Sequence, residues 1–383
     1  MEQEIMKLRK KQANKEKLEE FIRSARQQFG SDLEYLDATF DKTDFYVDQH
    51  KDRLEKVIPI TYFKNKFNRK NGKTAFARIY TRYADLFLAD EVFEDLHEQG
   101  FLTISTNVEM KYLVEEADYV DSTFANIYHL SKDQLAKVAT SEEGKVVTGT
   151  WDNIRLQNAI AQLYEVPMHS LTERNTLIRP AWWWDLLEKR VPNHRIAVYY
   201  DRVGLPRGYM LYYHTDHEIV VTEIYSMVED GYKALIANFN DSEQNFDEFR
   251  IEVSEDIDLS SCLANIADLK VENKPYLMTK IIDFAKLVET LSIEKTGTYY
   301  LEVTDDSLCT WNRGIWEVKR TPKNCVVKES DQAPDYSASI AVWAKVILGN
   351  LTVSQAIEQG LIKRHTDKNL NFFKGNVTFL DKP

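Results

Sequence analysis

Two histidines near the middle of the chain have a spacing that would suit a metal site. His214 and His217 lie three positions apart beside the carboxylates of Asp216 and Glu218, and imidazole and carboxylate groups are common metal ligands. The residues that lead to His214 are typical of a strand, on which positions 214 and 217 face opposite sides. No third ligand has a matching spacing, so the sequence favours histidines of a surface turn and predicts no metal site.

Nucleophilic serines and cysteines have little support. Ser105, Ser170 and Ser226 lack the Gly-x-Ser-x-Gly context of a nucleophile elbow, so a hydrolase with a serine triad is not favoured. The chain has three cysteines, Cys262, Cys309 and Cys325. They are isolated and have neither metal nor redox spacing, which predicts reduced structural thiols.

The net charge is −12, which argues against nucleic acid as the main partner because phosphate binding needs a basic face. Glu109, Glu115, Glu116 and Asp118 form an acidic set that would attract a cationic amine. The same set would also suit a solvated loop, which is the favoured interpretation. No apolar run approaches the about 20 residues that span a bilayer, and the N-terminus lacks a signal-peptide core. We therefore expect a cytoplasmic protein with no membrane partner.

The elements that would position these residues alternate between helices and strands, while residues 31–75 are polar and hard to assign. We predict these elements over the front two-thirds: a helix with Leu18 and Phe29 on one face, a strand over Phe76–Tyr83, a helix over Leu86–His97, strands over Leu102–Ser105 and Phe124–His129, a helix start at Ser131, helices over Asp152–Tyr164 and Arg179–Leu187, strands over Arg195–Tyr200, Gly208–His214 and Glu218–Met227, a helix over Glu229–Asn238 and a strand over Arg250–Val253. Each half has the order helix, strands, helix, strand, which indicates two related α/β units.

The last hundred residues form a third pattern. A short strand ends in Asp283, and an amphipathic helix follows with Phe284 and Leu291 on its apolar face. A hairpin, a helix around Trp343 and a last helix that ends at Gly360 complete the order. A chain of 383 residues is too long for one ordinary core, so two or three domains are expected.

Short motifs follow one another in a distinctive order through the last two-thirds. They are Arg179–Trp184, Gly208–Tyr212, Glu223–Tyr225, Met278-x-x-Ile281-Ile282-Asp283, Leu301-x-Val303-x-Asp305, Asn312-x-Gly314-x-Trp316, Gly349 and Phe372-Phe373. With them the chain resembles the Eis (enhanced intracellular survival) family of acetyl-CoA-dependent N-acetyltransferases. The resemblance implies an α/β and α+β fold class: tandem GNAT-like domains followed by a sterol-carrier-protein-2-like domain. The expected boundaries are 1–137, 138–277 and 278–383.

The resemblance also implies a loop that binds acetyl-CoA. In GNAT enzymes, Arg-x-x-Gly-x-Gly/Ala lies between a strand and a helix, and its backbone N–H groups bind the coenzyme A pyrophosphate. Arg82 is the matching arginine when positions are counted back from the helix that ends at Gly100. The resemblance therefore assigns acetyl-CoA binding to Arg82, Tyr83, Ala84, Leu86 and Phe87. Asp85 and Phe87 replace the glycines. The Asp85 carboxylate would repel the pyrophosphate, and the Phe87 side chain would add bulk where the backbone should approach it. The alternative segment, Arg69–Thr74, keeps one glycine but lies too many residues before the helix that should follow the loop. It would also suit an exposed basic turn.

The family also has a catalytic tyrosine, which protonates the leaving thiolate of coenzyme A. The pattern Tyr-x-x-Phe-Gly-Tyr is similar to Tyr112 through Tyr119, with Ala117 and Asp118 where glycine is usual. Tyr112 is therefore the candidate catalytic residue, although an amphipathic packing tyrosine would fit the same pattern. The general base of the family is the C-terminal carboxylate; family members usually run a few residues beyond the position of Pro383, so no residue here receives that role.

The resemblance predicts transfer of an acetyl group from acetyl-CoA to an amine, either an aminoglycoside-like molecule or a lysine side chain. It also predicts a homo-oligomer, with a hexamer as the family preference. A catalytically inactive member that serves as a binding or assembly scaffold is the alternative, and the altered loop favours it. A lipid carrier is a third possibility, which requires an apolar tunnel in residues 284–383.

Overall fold

The computed structural model of the chain describes two compact units. The described residues are 5–8, 15–29, 39–50, 53–81, 90–114, 117–138, 144–170, 172–190, 193–240, 246–291, 293–349, 351–372 and 374–381. Unit 1 contains the described residues of Met1–Thr123 and Pro275–Gly375, and unit 2 contains those of Phe124–Lys274 and Asn376–Asp381. The three-domain division at residues 137 and 277 stays a prediction.

The strands and helices have the following bounds. The strands are β1 Ile5–Leu8, β2 Thr43–His50, β3 Arg53–Phe67, β4 Lys70–Ala77, β5 Tyr80–Thr81, β6 Phe101–Asn107, β7 Val120–Ser131, β8 Gly144–Gly149, β9 Arg174–Leu177, β10 Arg195–Asp201, β11 Pro206–His214, β12 Glu218–Ser226, β13 Glu248–Ser254, β14 Lys270–Ile281, β15 Gly297–Val303, β16 Gly314–Arg320, β17 Cys325–Ser330, β18 Tyr336–Ala338 and β19 Lys363–Arg364. The α-helices are α1 Lys15–Phe29, α2 Asp90–Glu98, α3 Lys111–Val114, α4 Lys132–Leu135, α5 Ile154–Met168, α6 Ala181–Arg190, α7 Glu229–Ala237, α8 Ser260–Leu263, α9 Phe284–Leu291, α10 Ile340–Ile347 and α11 Val353–Glu358.

The first sheet of unit 1 has the strand order β1-β2-β3-β4-β6-β14. Its β4–β6 pair is parallel, whereas β3–β4 and β6–β14 are antiparallel. Parallel neighbours need a crossover connection, and the described part of this one contains β5 and α2. Val92, Phe93 and Leu96 on one face of α2 are buried, because apolar positions three and four residues apart share a helix face. The crossover thus fixes α2 beside the carboxyl end of β4.

The C-terminal part of unit 1 has its own sheet, ordered β17-β16-β15-β18-β19, and the helices α9, α10 and α11. Phe284, Leu287 and Leu291 of α9 are buried with Trp343 of α10. These apolar side chains form one cluster that also includes Phe67 of β3. Packed side chains therefore fill this part of the described fold, which favours a structural role over the lipid tunnel.

The sheet of unit 2 has the strand order β8-β10-β11-β12-β13-β7, counted for β7 from residue 124 onward. Side chains alternate along β10, as expected for a strand with both faces covered. Ile196 and Val198 pack in a cluster with residues of α5, whereas Ala197 packs with residues of α7. The β12–β13 pair is parallel over Glu218–Val221, and both strands continue beyond that pairing.

The predicted helices and strands of residues 152–254 are confirmed within a few residues. Ser131 begins α4, as expected, because its hydroxyl accepts a hydrogen bond from the Gln134 backbone N–H in a capping box. The single strand predicted over Phe76–Tyr83 is wrong: β4 ends at Ala77 and β5 covers Tyr80–Thr81. The described helices include none that is long and apolar enough to cross a membrane.

Candidate functional site

The parallel β4–β6 pair of unit 1 marks the position where a ligand is expected. In open α/β sheets, ligands bind beyond the carboxyl ends of parallel strands, next to the N-terminus of the crossover helix. Here residues 78–89 connect β4 to α2. Arg82, Tyr83, Ala84, Leu86 and Phe87 belong to this connection but lie outside the described residues, which end at residue 81 and resume at residue 90. Their assignment to acetyl-CoA binding stays a prediction.

The alternative segment, Arg69–Thr74, lies in a β-hairpin. Phe67 of β3 pairs with Lys70 of β4, and Asn68 in the turn has a φ of 52°. A Cβ on Gly72 would lie 2.3 Å from Leu102 Cδ1, so the glycine permits close packing on β6. This segment leads from strand to strand, whereas the pyrophosphate loop leads from strand to helix. The geometry therefore supports the exposed basic turn.

The two tyrosines that matched the family pattern lie around a short helix. Tyr112 is in α3, and its side chain lies outside the described part, so its catalytic role stays a prediction. Tyr119 is 3% exposed, and its hydroxyl has no partner among the described residues. Burial raises the pKa of Tyr119 well above its ordinary value, with a smaller contribution from Cys309, which makes this phenol a poorer proton donor. Asp118 has a φ of 60°, a conformation that explains why glycine is usual there.

Asp118 is not a free carboxylate of an acidic loop. Its Oδ2 lies 3.5 Å from Nζ of Lys280, which is completely buried. Lys280 Nζ also donates to Asp306 Oδ1 at 3.0 Å, and Asp306 is buried too. The acidic set therefore loses one of its four charges to an internal ion pair, and Glu115 and Glu116 lie outside the described residues. We call Lys280, Asp306 and Asp118 the lysine cluster.

The motif Asn312-x-Gly314-x-Trp316 completes the hydrogen bonding around this cluster. Asn312 Oδ1 accepts from the Phe284 backbone N–H at 2.9 Å, at the start of α9. Asn312 Nδ2 donates to Asp306 Oδ2 at 2.9 Å, and the Trp316 indole donates to the Asn312 carbonyl at 2.8 Å. Buried polar groups need such partners, so the motif has a structural function here.

The corresponding connection of unit 2 is much shorter. Only Met227 and Val228 separate β12 from α7, and Glu229 and Asp230 occupy the first turn of that helix. A Cβ on Gly231 would lie 2.0 Å from Ser226 Oγ, so the helix packs directly on the end of the strand. Two carboxylates and close packing at a helix N-terminus oppose the binding of a pyrophosphate.

Unit 2 instead contains a buried ion cluster, which we call the arginine cluster: Arg179, Glu223 and Asp381. Arg179 Nη1 donates to Glu223 Oε1 at 3.0 Å, and its Nη2 donates to Glu223 Oε2. Arg179 Nε donates to Asp381 Oδ1 at 2.9 Å, and the Trp183 indole donates to the same oxygen at 3.1 Å. Burial raises the pKa of Asp381 to about 6; Arg179 opposes this shift and Glu223 adds to it.

The arginine cluster anchors the chain end near Asp381, which the sequence did not predict. The backbone N–H of Arg174 donates to the Asn376 carbonyl at 2.8 Å, next to a parallel bridge between Glu173 and Asn376. Thr378 Oγ1 donates to Glu173 Oε1 at 2.5 Å, and Phe379 stacks on Tyr164 with ring centroids 4.4 Å apart. Arg179 and Glu223 belong to the motifs of the middle third, so these motifs position residues 376–381 within unit 2.

The three tryptophans at the start of α6 face different ways, as the helical geometry predicts. Trp183 is 1% exposed, whereas Trp182 and Trp184 are half-buried. Between β11 and β12, the exposed His217 has its Nδ1 3.3 Å from Asp247 Oδ2, in keeping with a surface turn. Among the described residues, no group of three or more His, Cys, Asp or Glu side chains is arranged to hold a metal ion.

Comparison with known proteins relates this geometry to two domain families. Residues 176–281 match the acetyltransferase (GNAT) domain family, and residues 284–375 match the sterol carrier protein domain family. No curated protein matches the chain at a significant level.

Solved structures are similar over nearly the whole chain. A probable N-acyltransferase from Enterococcus faecalis has a TM-score of 0.83 at 18% identity and covers 95% of this chain and 94% of its own. A GCN5-related N-acetyltransferase from Anabaena variabilis has a TM-score of 0.78 at 13% identity, with 94% of each chain covered. Eis1 from Mycobacterium abscessus has a TM-score of 0.76 at 14% identity and covers 99% of this chain and 98% of its own. The predicted fold class, tandem GNAT-like domains followed by a sterol-carrier-like domain, is confirmed.

Proposed function

We propose that this chain, which matches a GNAT acetyltransferase domain and a sterol carrier protein domain and has the fold of Eis1, transfers an acetyl group from acetyl-CoA to a primary amine. A GNAT domain implies acetyl-CoA as the co-substrate; the matched residues 176–281 lie mostly in unit 2, so the placement of the site in unit 1 rests on the connection between β4 and α2. The proposed acceptor is an aminoglycoside-like molecule or a lysine side chain. The observation that carries the proposal is the GNAT domain together with a fold that is similar to N-acetyltransferases over nearly the whole chain.

The proposed acetyl-CoA site is the connection that contains Arg82, in unit 1. It follows the parallel strand β4 and leads into α2, the arrangement in which helix N-terminal N–H groups bind a pyrophosphate. Arg82 supplies a positive charge, and Tyr83, Ala84, Leu86 and Phe87 supply backbone and apolar contacts. The connection of unit 2 offers only two residues, which supports the choice of unit 1.

The proposed reaction is a direct attack by the neutral amine on the thioester carbonyl carbon. A C–N bond forms, the C–S bond breaks, and the nitrogen loses a proton to the surroundings. Backbone N–H groups of β6 stabilise the negative charge that develops on the carbonyl oxygen. Tyr112 donates its proton to the leaving thiolate of coenzyme A.

A scaffold without catalysis is the second candidate. Asp85 and Phe87 stand where the family pattern has small residues, and Asp90 and Glu91 add two carboxylates to the first turn of α2. Negative charge at a helix N-terminus opposes phosphate binding there. This candidate predicts that the chain assembles without binding acetyl-CoA.

Isothermal titration of the intact chain with acetyl-CoA separates the two candidates. We expect saturable binding that Arg82→Ala weakens about tenfold or more, because a charged contact to phosphate is lost. Arg69→Ala is the matched control, since Arg69 is exposed in the hairpin turn and its loss leaves binding unchanged. Tyr112→Phe lowers turnover about 10²- to 10⁴-fold while acetyl-CoA still binds. No binding at millimolar acetyl-CoA would contradict the acetyltransferase.

The proposed assembly is a homo-oligomer, with a hexamer as the preferred state. Light scattering coupled to size-exclusion chromatography gives its mass, and a monomer at every concentration contradicts this part of the proposal. The proposed compartment is the cytoplasm, where reduced thiols are stable. The three cysteines are free and buried, which supports that compartment.

A further inference from the structure

Helix α2 of unit 1 follows the connection to which we assign acetyl-CoA, and the length of that connection does not fix where the helix lies. Residues 78–89 separate β4 from α2, whereas two residues separate β12 from α7. A short connection fixes the start of the helix that follows it, while a long one can reach many positions. Helix N-terminal N–H groups bind a pyrophosphate only where they point at it. The contacts along α2 must therefore hold its first turn in place.

The C-terminal part of unit 1 places a loop beside α2, residues 306–312, which we call the tryptophan loop. The carboxylate of Asp306 accepts a hydrogen bond from the Cys309 backbone N–H at 2.9 Å. The indole of Trp311 donates to the Ile282 carbonyl at 2.8 Å, directly after β14. These bonds give the buried polar groups of the loop their partners. They fix the Trp311 ring through residues outside α2.

His97, near the end of α2, connects the helix to the tryptophan loop. Its ring stacks on the Trp311 indole, with ring centroids 4.5 Å apart and an angle of 22° between the ring planes. His97 Nε2 also lies 3.5 Å from Asp283 Oδ2, but Lys286 Nζ is nearer to the same oxygen, at 2.8 Å. The His97 side chain is 34% exposed, and ion pairs at such positions contribute little. The ring stack is therefore the main contact of His97.

The buried face of α2 packs on the same part of the fold. Phe93 belongs to one apolar cluster with Cys309, and Trp311 packs against that cluster. The buried Lys280 has its Nζ over the Phe93 ring, 5.7 Å from the ring centroid. Phe93 and His97 lie about one helical turn apart. Together they fix the direction of α2 relative to the tryptophan loop.

We propose that His97 is a positioning residue for acetyl-CoA: its stack on Trp311 holds α2 so that the N–H groups of the first turn point at the pyrophosphate. This role rests on the proposed binding of acetyl-CoA in unit 1, and His97 itself does not touch the ligand. Without the stack the helix shifts, and a misplacement of about 1 Å in a binding group can cost about 10²-fold. The C-terminal part of the chain thus takes part in coenzyme binding.

Isothermal titration of the intact chain with acetyl-CoA tests the role of His97. We expect His97→Leu and His97→Gln, which both remove the ring, to weaken binding about tenfold. His97→Phe keeps a ring for the stack and loses only the contact with Asp283, so it should bind acetyl-CoA within about threefold of the unsubstituted chain. Binding by His97→Phe that is as weak as that by His97→Leu would overturn the assignment to the stack.

His129→Leu is the matched control, because His129 is a half-buried histidine of unit 2 that also pairs with a carboxylate, that of Glu248. Thermal unfolding should show similar losses of stability for His129→Leu and His97→Leu, but only His97→Leu should bind acetyl-CoA more weakly. Equal weakening by both variants would indicate a general loss of stability and overturn the positioning role.

The outcome for the unsubstituted chain separates this role from the proposed function. Saturable binding of acetyl-CoA that His97→Leu and His97→Gln leave unchanged would overturn the positioning role alone. No binding by the unsubstituted chain at millimolar acetyl-CoA would contradict the proposed function and the positioning role together.

Discussion

The two parallel strand pairs lead into their helices in different ways. In unit 1, residues 78–89 connect β4 to α2, whereas in unit 2 only Met227 and Val228 connect β12 to α7. The longer connection has enough backbone to surround a ligand, and the shorter one is packed against Ser226 through Gly231. The same strand and helix order thus leaves room for a ligand in the connection of unit 1, where we propose that acetyl-CoA binds, and none in that of unit 2.

The buried ion clusters of the two units differ as well. In the lysine cluster, one cation meets one fully buried carboxylate, Asp306, with Asp118 partly exposed beside it. In the arginine cluster, one cation meets the buried carboxylate of Asp381 and that of Glu223, whose side chain is 10% exposed. Each cluster thus has one positive and two negative charges, but solvent reaches the second carboxylate of the lysine cluster, Asp118, more than either carboxylate of the arginine cluster. The free energy of unfolding should therefore depend on the buried cation in both units. Its dependence on pH should come mainly from the arginine cluster of unit 2.

Arg179→Met is expected to have the largest effect. It leaves two carboxylates without their cation, and breaking a buried ion pair destabilises by about 3–5 kcal/mol, so we expect the upper end of that range. Urea unfolding measures the change. Arg207→Met is the control, because Arg207 pairs with Asp201 at the surface and such pairs contribute about 1 kcal/mol or less. A loss below about 1 kcal/mol for Arg179→Met would show that the cluster does not hold unit 2 together.

Lys280→Met is expected to have the next largest effect, near the lower end of about 3–5 kcal/mol, because one buried carboxylate loses its partner. Lys286→Met is the matched control, since Lys286 pairs with Asp283 while its side chain is 53% exposed. The same unfolding measurement applies to both variants. If Lys280→Met proved more destabilising than Arg179→Met, the comparison of the two clusters would be reversed.

Asp381→Asn is expected to change the pH dependence of stability. Burial raises the pKa of Asp381 from 3.8 to about 6, so between these pH values the folded chain binds more protons than the unfolded chain. Through this group, the free energy of unfolding therefore falls as pH rises from about 4 to about 6. Asp381→Asn removes that contribution. Burial also raises the pKa of Glu173, which contributes with the same sign and remains in the variant.

Unfolding of both chains across this pH range gives the test. The difference in unfolding free energy between Asp381→Asn and the unsubstituted chain should change across the window, with the variant gaining relative stability as pH rises. Parallel curves for the two chains would contradict the raised pKa of Asp381 in the arginine cluster.

Because the proposed role of Arg82 is to contact acetyl-CoA, Arg82→Ala is expected to have the smallest effect on stability, within about 0.5 kcal/mol. Arg82→Ala is expected to lower the affinity for acetyl-CoA instead, whereas Arg179→Met is expected to lower stability. Thermal unfolding with and without acetyl-CoA separates the two quantities. A large loss of stability without ligand would indicate that Arg82 belongs to the packing of unit 1.

Local patterns in the sequence predicted much of unit 2 but less of unit 1. Helix α5 and strands β10 to β12 have clear apolar periodicity, and they appear within a few residues of their predicted bounds. The hairpin of β2 and β3 was not predicted, because β3 contains Pro59 and many lysines, which disfavour a strand by composition.

Contacts between distant residues were beyond local patterns. Arg179 and Asp381 are 202 positions apart, and nothing near either residue indicates the other. Lys280 is completely buried although lysine is rarely buried, so its role became visible only with Asp306 beside it. The sequence predicted the motifs of the candidate site and their order. The structural roles of these motifs became clear only from the residues that the fold places in contact with them.

Hydrogen–deuterium exchange of the intact chain with and without saturating acetyl-CoA tests the central claim most directly. We expect slower exchange at the backbone amides of residues 82–90 and in the first turn of α2, with no change at residues 227–231. Protection at residues 227–231 in place of 82–90, or no protection in either connection, would contradict the assignment of acetyl-CoA binding to unit 1.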